Sequence, residues 1–338
     1  MTRVGDPADG IPQHPDGPGA RTAPGPSAAP GAAALTSGPG SAGASAPAPE
    51  GSSGAPASGG SLGASAAAGS AGASAPAGSA GTPALPERWA RDPFLLDERR
   101  GWHPAEVHAD GDAMLLVRRA VADPGESGHG LGATMLLAVG PAEPVAALVR
   151  AHARPGHRFA WVDTEAFGLL HAAEVAALGL APNRTGWEWL VTEEAPAPVA
   201  AESRLRELDP RADAAAIRAC LADANPTTDA DPAGPGERWW GAFDASGRLG
   251  GVIGAGPRAG RVGGRGSAHL HGLGVRPGER GQGLGAALTA GAVRALLADG
   301  ADWVSLGMWD DNHGARRIYH RLGLRTVHRL TTLRARGA

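Results

Sequence analysis

Two histidines one residue apart, a run of alternating glycines and a lone tyrosine are the residues whose types and spacing could do chemistry in this chain. His269 and His271 lie in "AHLHGLGV". Its alternation is that of a strand, so both imidazoles share one face with Ser267, opposite Ala268 and Leu270. Imidazole, with a pKa near ~6.5, can take a proton from an amine directly or through water. An H-x-H pair also ligates zinc, but no third ligand is evident nearby, so no metal is expected. Beyond the strand, Gly281, Gly283 and Gly285 let the backbone bend so that successive N–H groups point into one hollow. The helix that follows, expected from near Ala286, adds its positive end, and Arg280 supplies a charge partner; together they suit a pyrophosphate. Spacing alone leaves the ligand open. Gly281, Gly283 and Ala286 also fit the dinucleotide pattern G-x-G-x-x-A, with Asp310 after the next strand as a ribose partner. Tyr319 is the only tyrosine. It shares a helical face with Ala315, Ile318 and Leu322, an ordinary packing arrangement. A neutral phenol, pKa about 10, can also give a proton to a departing thiolate.

The elements that must position these residues are legible in outline. "DAMLLVRRAV" and "GATMLLAVG" read as strands, "PVAALVRAHA" as a helix, "FAWVDT" as a strand, "FGLLHAAEVAALGL" as helical and "GWEWLVTE" as a closing strand. After the linker "EEAPAPVAAES" the pattern restarts with the strand "SRLREL" and a helix opened by Asp209-Pro210 and stopped at Asn225-Pro226. "RWWGAF" and "RLGGVIGAG" form a hairpin through "DASG". Then come the histidine strand, the helix "AALTAGAVRALLADG", the strand "WVSLGM" and a helix ending at Gly323. The strand–helix unit of "FAWVDTEAFGLLHAAEVAALGL" lines up with "DWVSLGMWDDNHGARRIYHRLGL", each closing in Leu-Gly-Leu. The first copy has only "AVGPAEPVAAL" where the second has the glycine loop.

The flanking residues point further. "VRPGERGQGLG" resembles the pyrophosphate-loop motif of the GCN5-related N-acetyltransferases, Arg/Gln-x-x-Gly-x-Gly/Ala, at Arg280, Gly283 and Gly285. "DNHGARRIYHRLGL" resembles that family's next motif at Asn312, Ala315, Tyr319 and Leu322-Gly323, with Leu324 where phenylalanine is more frequent. The resemblance covers about residues 203–333 well and 85–194 only in outline. It implies an α/β fold with a mixed, mostly antiparallel central sheet flanked by helices. Two tandem copies are expected: a degenerate domain at 85–195 and a catalytic domain at 200–338, the latter able to hold the cofactor by itself. The implied co-substrate is acetyl-CoA, and the acceptor an amine of a small molecule or peptide. Backbone amides from Gly281 through Gln282, Gly283 and Leu284 to Gly285, with Arg280, would hold the pyrophosphate. Leu273, Gly274 and Val275 would bond the pantetheine arm, and Asn312 would sit near it. Tyr319 would be the general acid and His269 and His271 the base. "GRGSAHLH" is similar to the arylalkylamine N-acetyltransferase segment whose paired histidines serve so. A mycothiol synthase-like tandem enzyme, a non-catalytic acyl-CoA sensor and a nicotinamide oxidoreductase are the alternatives. "NPTTDADPAGPGE" is the expected acceptor loop.

Composition bounds the rest. The 338 residues carry a formal net charge of −3 without a dense basic stripe, so nucleic acid is not an expected partner. The single cysteine, Cys220, excludes an intrachain disulfide and reads as core packing. Neither a membrane span nor a signal peptide is apparent, and the cytoplasm is expected. Residues 1–84 are almost entirely Ala, Gly, Pro and Ser. With few large side chains to bury, this tail is expected to be disordered.

Overall fold

The computed structural model describes residues 84–98, 103–119, 134–182 and 186–335. The tail expected to be disordered lies, apart from Ala84, outside the described residues. The chain opens with two short helices, α1 (Glu87–Ala90) and α2 (Pro93–Glu98). Strands β1 (His103–Asp110), β2 (Ala113–Arg119) and β3 (Thr134–Val139) follow, then α3 (Ala142–His152), β4 (His157–Asp163), α4 (Thr164–Gly168), α5 (Ala172–Ala177), β5 (Leu180–Pro182) and β6 (Trp187–Thr192). The later half holds β7 (Leu205–Leu208), α6 (Ala214–Ala224), β8 (Arg238–Phe243), β9 (Leu249–Arg258) and β10 (Ser267–Val275). It closes with α7 (Leu284–Ala298), β11 (Val304–Trp309), α8 (His313–Arg321) and β12 (Arg325–Ala335).

These strands form one mixed, mostly antiparallel sheet in the order β1-β2-β3-β4-β12-β6-β11-β10-β9-β8-β7, with β5 continuing beside β12. Only β3–β4 and β10–β11 pair in parallel. Helices cover it, as expected from the patterning. The sheet does not part at the linker. β12 pairs with β4 on one side and with β6 and β5 on the other, while β6 also pairs with β11. The last strand of each half thus lies against a strand of the other half. A segment beginning near residue 200 would lack β6, the strand between its own β11 and β12. Every residue of β6 is buried, as suits a central strand covered on both faces. Trp187, Trp189 and Val191 pack with Trp89, Phe94 and Leu95 of α1 and α2 on one side. On the other, Leu190 joins the core of Leu288, Val293 and Tyr319. Glu188 is 1% exposed and is compensated by Arg316 of α8, 2.6 Å away, and by the Thr326 hydroxyl at 2.8 Å.

Several boundaries differ from expectation. The helical stretch 167–180 is broken into α4 and α5; Asp163 caps the first, accepting N–H bonds from Glu165 and Ala166, and His171 starts the second. Asp209 caps a turn rather than a helix, and α6 begins at Ala214. Helix α7 starts at Leu284, two residues early, because Gly283 adopts φ +78° and forms its N-cap. Cys220 is fully buried beside Ile217 and Trp239, where burial raises its thiol. Among the described residues, no helix is long and apolar enough to cross a membrane.

Candidate active site

Strands β10 and β11 run side by side only from Ala268–Val304 to Leu270–Leu306. Past Leu270 they separate, while β10 stays paired to β9 through Val275. The register shift between His271 and Gly274, with Gly272 at φ +60°, accompanies the separation. The gap opens into a cavity of about 350 Å³. Leu273, Gly274 and Val275 line one wall, Asn312, Ala315 and Tyr319 another, and Arg280 and Gly285 the mouth. Six of the ten residues expected to hold the cofactor therefore meet here.

The other four contribute differently. Gly281 and Gly283 have positive φ, and a side chain placed at 281, 283 or 285 would meet nothing within 4 Å, so the hollow is open. Among the described residues, the backbone N–H groups from Gly281 to Ala286 have no protein acceptor. Together with the start of α7 they make an anion-binding end. The Leu284 side chain is 1% exposed in the core, so only its amide is available. Gln282 is tied down: its Oε1 accepts from Arg204 at 2.8 Å, and its amide donates to Glu279 at 3.3 Å. Arg280 donates to the carbonyls of Val275 (3.1 Å) and Ala224 (3.4 Å), which fixes it at the mouth. Two arginines overlooked in the sequence, Arg317 and Arg321 of α8, also line the cavity. Neither has an acidic partner among the described residues, so with Arg280 they make its rim cationic.

Helix α8 is set by its ends. The Asn312 side chain accepts the Ala315 N–H at 3.1 Å as N-cap, and Gly323 at φ +87° ends the helix. Arg316 donates to Glu188 of β6 and to the Asp310 carbonyl, tying the helix to the exchanged strand. Tyr319 is 2% exposed, and burial pushes its phenol up, so it stays protonated. Asp310 does not line the cavity; its N–H donates to the Gly186 carbonyl. That position supplies nothing to a ribose in this cleft.

The two histidines part company. His271 lines a small second pocket that shares Leu273 and Tyr319 with the cavity, together with Leu270, Leu306 and Gly307. His269 lines neither space and is 9% exposed. Its Nδ1 lies 2.9 Å from Ser305 Oγ, which donates to Asp97 Oδ2 at 2.7 Å. Since the hydroxyl proton goes to Asp97, Nδ1 of His269 carries its own proton. Burial, with Arg258 and His271 adding to it, lowers the His269 imidazole well below its usual range. Asp97 comes from α2 and also accepts from Ser267 and from Trp303 Nε1 (2.8 Å). Burial raises it to about 6 against the pull of those three donors.

His271 is flanked by Trp239 edge-on, with ring centroids 5.5 Å apart, and by Glu237 just ahead of β8. A Cβ at Gly254 would lie 2.7 Å from both rings, and one at Gly256 would lie 2.9 Å from Glu237 Oε1. The glycines of "GVIGAG" thus make room for this group. Among the described residues, no group of three or more His, Cys, Asp or Glu stands ready to hold a metal.

Residues 203–324 match the Acetyltransferase (GNAT) family. No curated protein matches the chain. Similar solved structures include a GCN5-related N-acetyltransferase from Kribbella flavida: 22% identity, 74% of this chain and 95% of that one, TM-score 0.45. Another is from Sphaerobacter thermophilus, with 16% identity, 68% and 82% coverage and TM-score 0.42. A tandem GNAT protein from the clavulanic acid biosynthesis pathway has 15% identity, 67% and 83% coverage and TM-score 0.36. The likeness to the acetyltransferase (GNAT) family thus lies in residues 203–324, about a third of the chain.

Proposed function

We propose that the protein transfers an acetyl group from acetyl-CoA to an amine of a small molecule or peptide, by direct attack with both bound. The observation that carries this reading is that Tyr319 lines both the cavity beside the separated strands and a small neighbouring pocket that His271 also lines. The pyrophosphate would rest on the amides of Gly281–Ala286, with Arg280, Arg317 and Arg321 at the rim. The pantetheine arm would lie along Leu273, Gly274 and Val275, whose β11 side has no strand partner.

The acceptor nitrogen attacks the thioester carbonyl carbon, and the carbon–sulfur bond breaks as the tetrahedral intermediate collapses. The nitrogen gives up a proton to His271, and the thiolate takes one from Tyr319; both groups reset through solvent. Burial keeps Tyr319 in the neutral, proton-bearing form that a donor to the departing sulfur needs. His269, bonded to Ser305 and behind the opening, is assigned to support rather than to proton abstraction.

The test is a thermal-shift titration with acetyl-CoA and with NADH, followed by thiol release over a panel of primary amines. A shift with acetyl-CoA and amine-dependent thiol release are expected. A shift with NADH alone would overturn the reading.

A further inference from the structure

We infer that Glu237 is a positioning residue for His271: it holds the ring with its proton on Nε2, leaves Nδ1 as the base, and stabilises the imidazolium formed during transfer. Three observations carry this. Glu237 Oε2 lies 2.8 Å from His271 Nε2, and both side chains are largely buried, 14% and 12% exposed. Oε2 is itself buried with no hydrogen-bond partner among the described residues, so the adjacent His271 ring is the group within reach that can offset its desolvation. Nδ1 of His271 has no protein hydrogen bond among the described residues, and its ring borders the opening that Tyr319 enters.

The surroundings are built to keep this pair together. Glycines at 254 and 256 clear the space it occupies, and Trp239 blocks one flank of the ring. The titratable groups facing His271 are Glu237 ahead of β8, Arg258 on β9, His269 on β10 and Tyr319 on α8. Glu237 is the only carboxylate among them. The pairing gives the base a fixed tautomer and a counter-charge, as carboxylates do for histidines in other settings.

This inference rests on the acetyl-transfer reading, and its test is independent of the acceptor. The full-length chain, labelled with ¹⁵N in its histidines, is titrated by NMR, with His271 assigned through H271Q. The expected result is an Nε2–H neutral tautomer, with the imidazolium persisting to higher pH in wild type than in E237Q. E237D, which keeps the charge, should restore part of the difference. An Nδ1–H tautomer, or identical titration in wild type and E237Q, overturns the inference. If E237Q does not fold, the wild-type tautomer and E237D decide alone. Failure of the acetyl-transfer reading appears elsewhere, as no response to acetyl-CoA in the thermal-shift and thiol-release assays.

Discussion

The two parallel strand pairs of this sheet have opposite fates. β3 and β4 stay paired from Thr134 to Ala138, nearly the full length of β3, whereas β10 and β11 separate after Leu270. The joints that follow differ in the same sense. In the first half Gly140 is packed so closely that an added Cβ would lie 2.5 Å from the Asp112 carbonyl oxygen. Pro141, which has no N–H, caps α3. In the second half, glycines 281, 283 and 285 face open space and their amides are free. A cleft needs both a strand partner removed and a loop with bare amides, and only the second pair has both. The first half has instead become a support. It lends β6 to the second half's sheet, Glu188 to the helix carrying Tyr319, and Asp97 to the back of the histidine strand.

The sharpest way to break this comparison is at the chemistry of the open cleft. Tyr319→Phe should lower turnover by roughly 10²–10⁴-fold while acetyl-CoA affinity changes little, since the ring still packs and only the proton donor is lost. Steady-state kinetics beside calorimetric binding checks it; an equal loss in affinity would make Tyr319 a packing residue. Next is the support. Glu188→Ala strands Arg316 beside a buried strand and should cost about 3–5 kcal/mol in chemical denaturation, the usual result of removing one partner of a buried pair. A change within about 0.5 kcal/mol would mean the exchanged strand does not brace α8.

Asp97 sharpens the point through pH. Its folded value, about 6, stands above the 3.8 of an unperturbed aspartate, so the folded chain binds the proton more tightly than the unfolded chain. Its contribution is therefore most favourable below about pH 4 and falls by about 3 kcal/mol as pH rises through 6. Asp97→Asn should remove that slope; parallel stability curves for the two proteins between pH 4 and 6 would contradict it. The smallest effect is expected at the closed joint. Gly140→Ala, strained at φ +127° and against Asp112, should cost about 1–3 kcal/mol of stability and leave acetyl-CoA binding unchanged. Lost binding would show that the first half does more than support.

How far the sequence announced this depends on whether each feature is local. The glycine loop, Asn312 and Tyr319 were legible because each belongs to a short local motif, and Gly285, Asn312 and Tyr319 line the cavity. The strand alternation of 267–271 was legible too, but not that His269 would be taken up by Ser305 and Asp97, a partner 170-odd residues away. Glu237 ends the loop expected to meet the acceptor, yet its approach to His271 depends on β8–β9–β10 register that no local pattern encodes. Arg317 and Arg321 sit on a helix with several arginines, where nothing local marks which of them line the cavity. The exchange of β6 and β12 left no signal, since a buried strand has the same sequence whichever half it pairs with. Strand β1 and helix α2 were missed for want of a clear period.

Titration calorimetry of the full-length chain with acetyl-CoA tests the central claim most directly. One cofactor per chain is expected, and none for Gly283→Val, whose side chain would occupy the open hollow and strain a backbone at φ +78°. Two cofactors per chain, or one that persists unchanged in Gly283→Val, would contradict the assignment of the site to the separated strands.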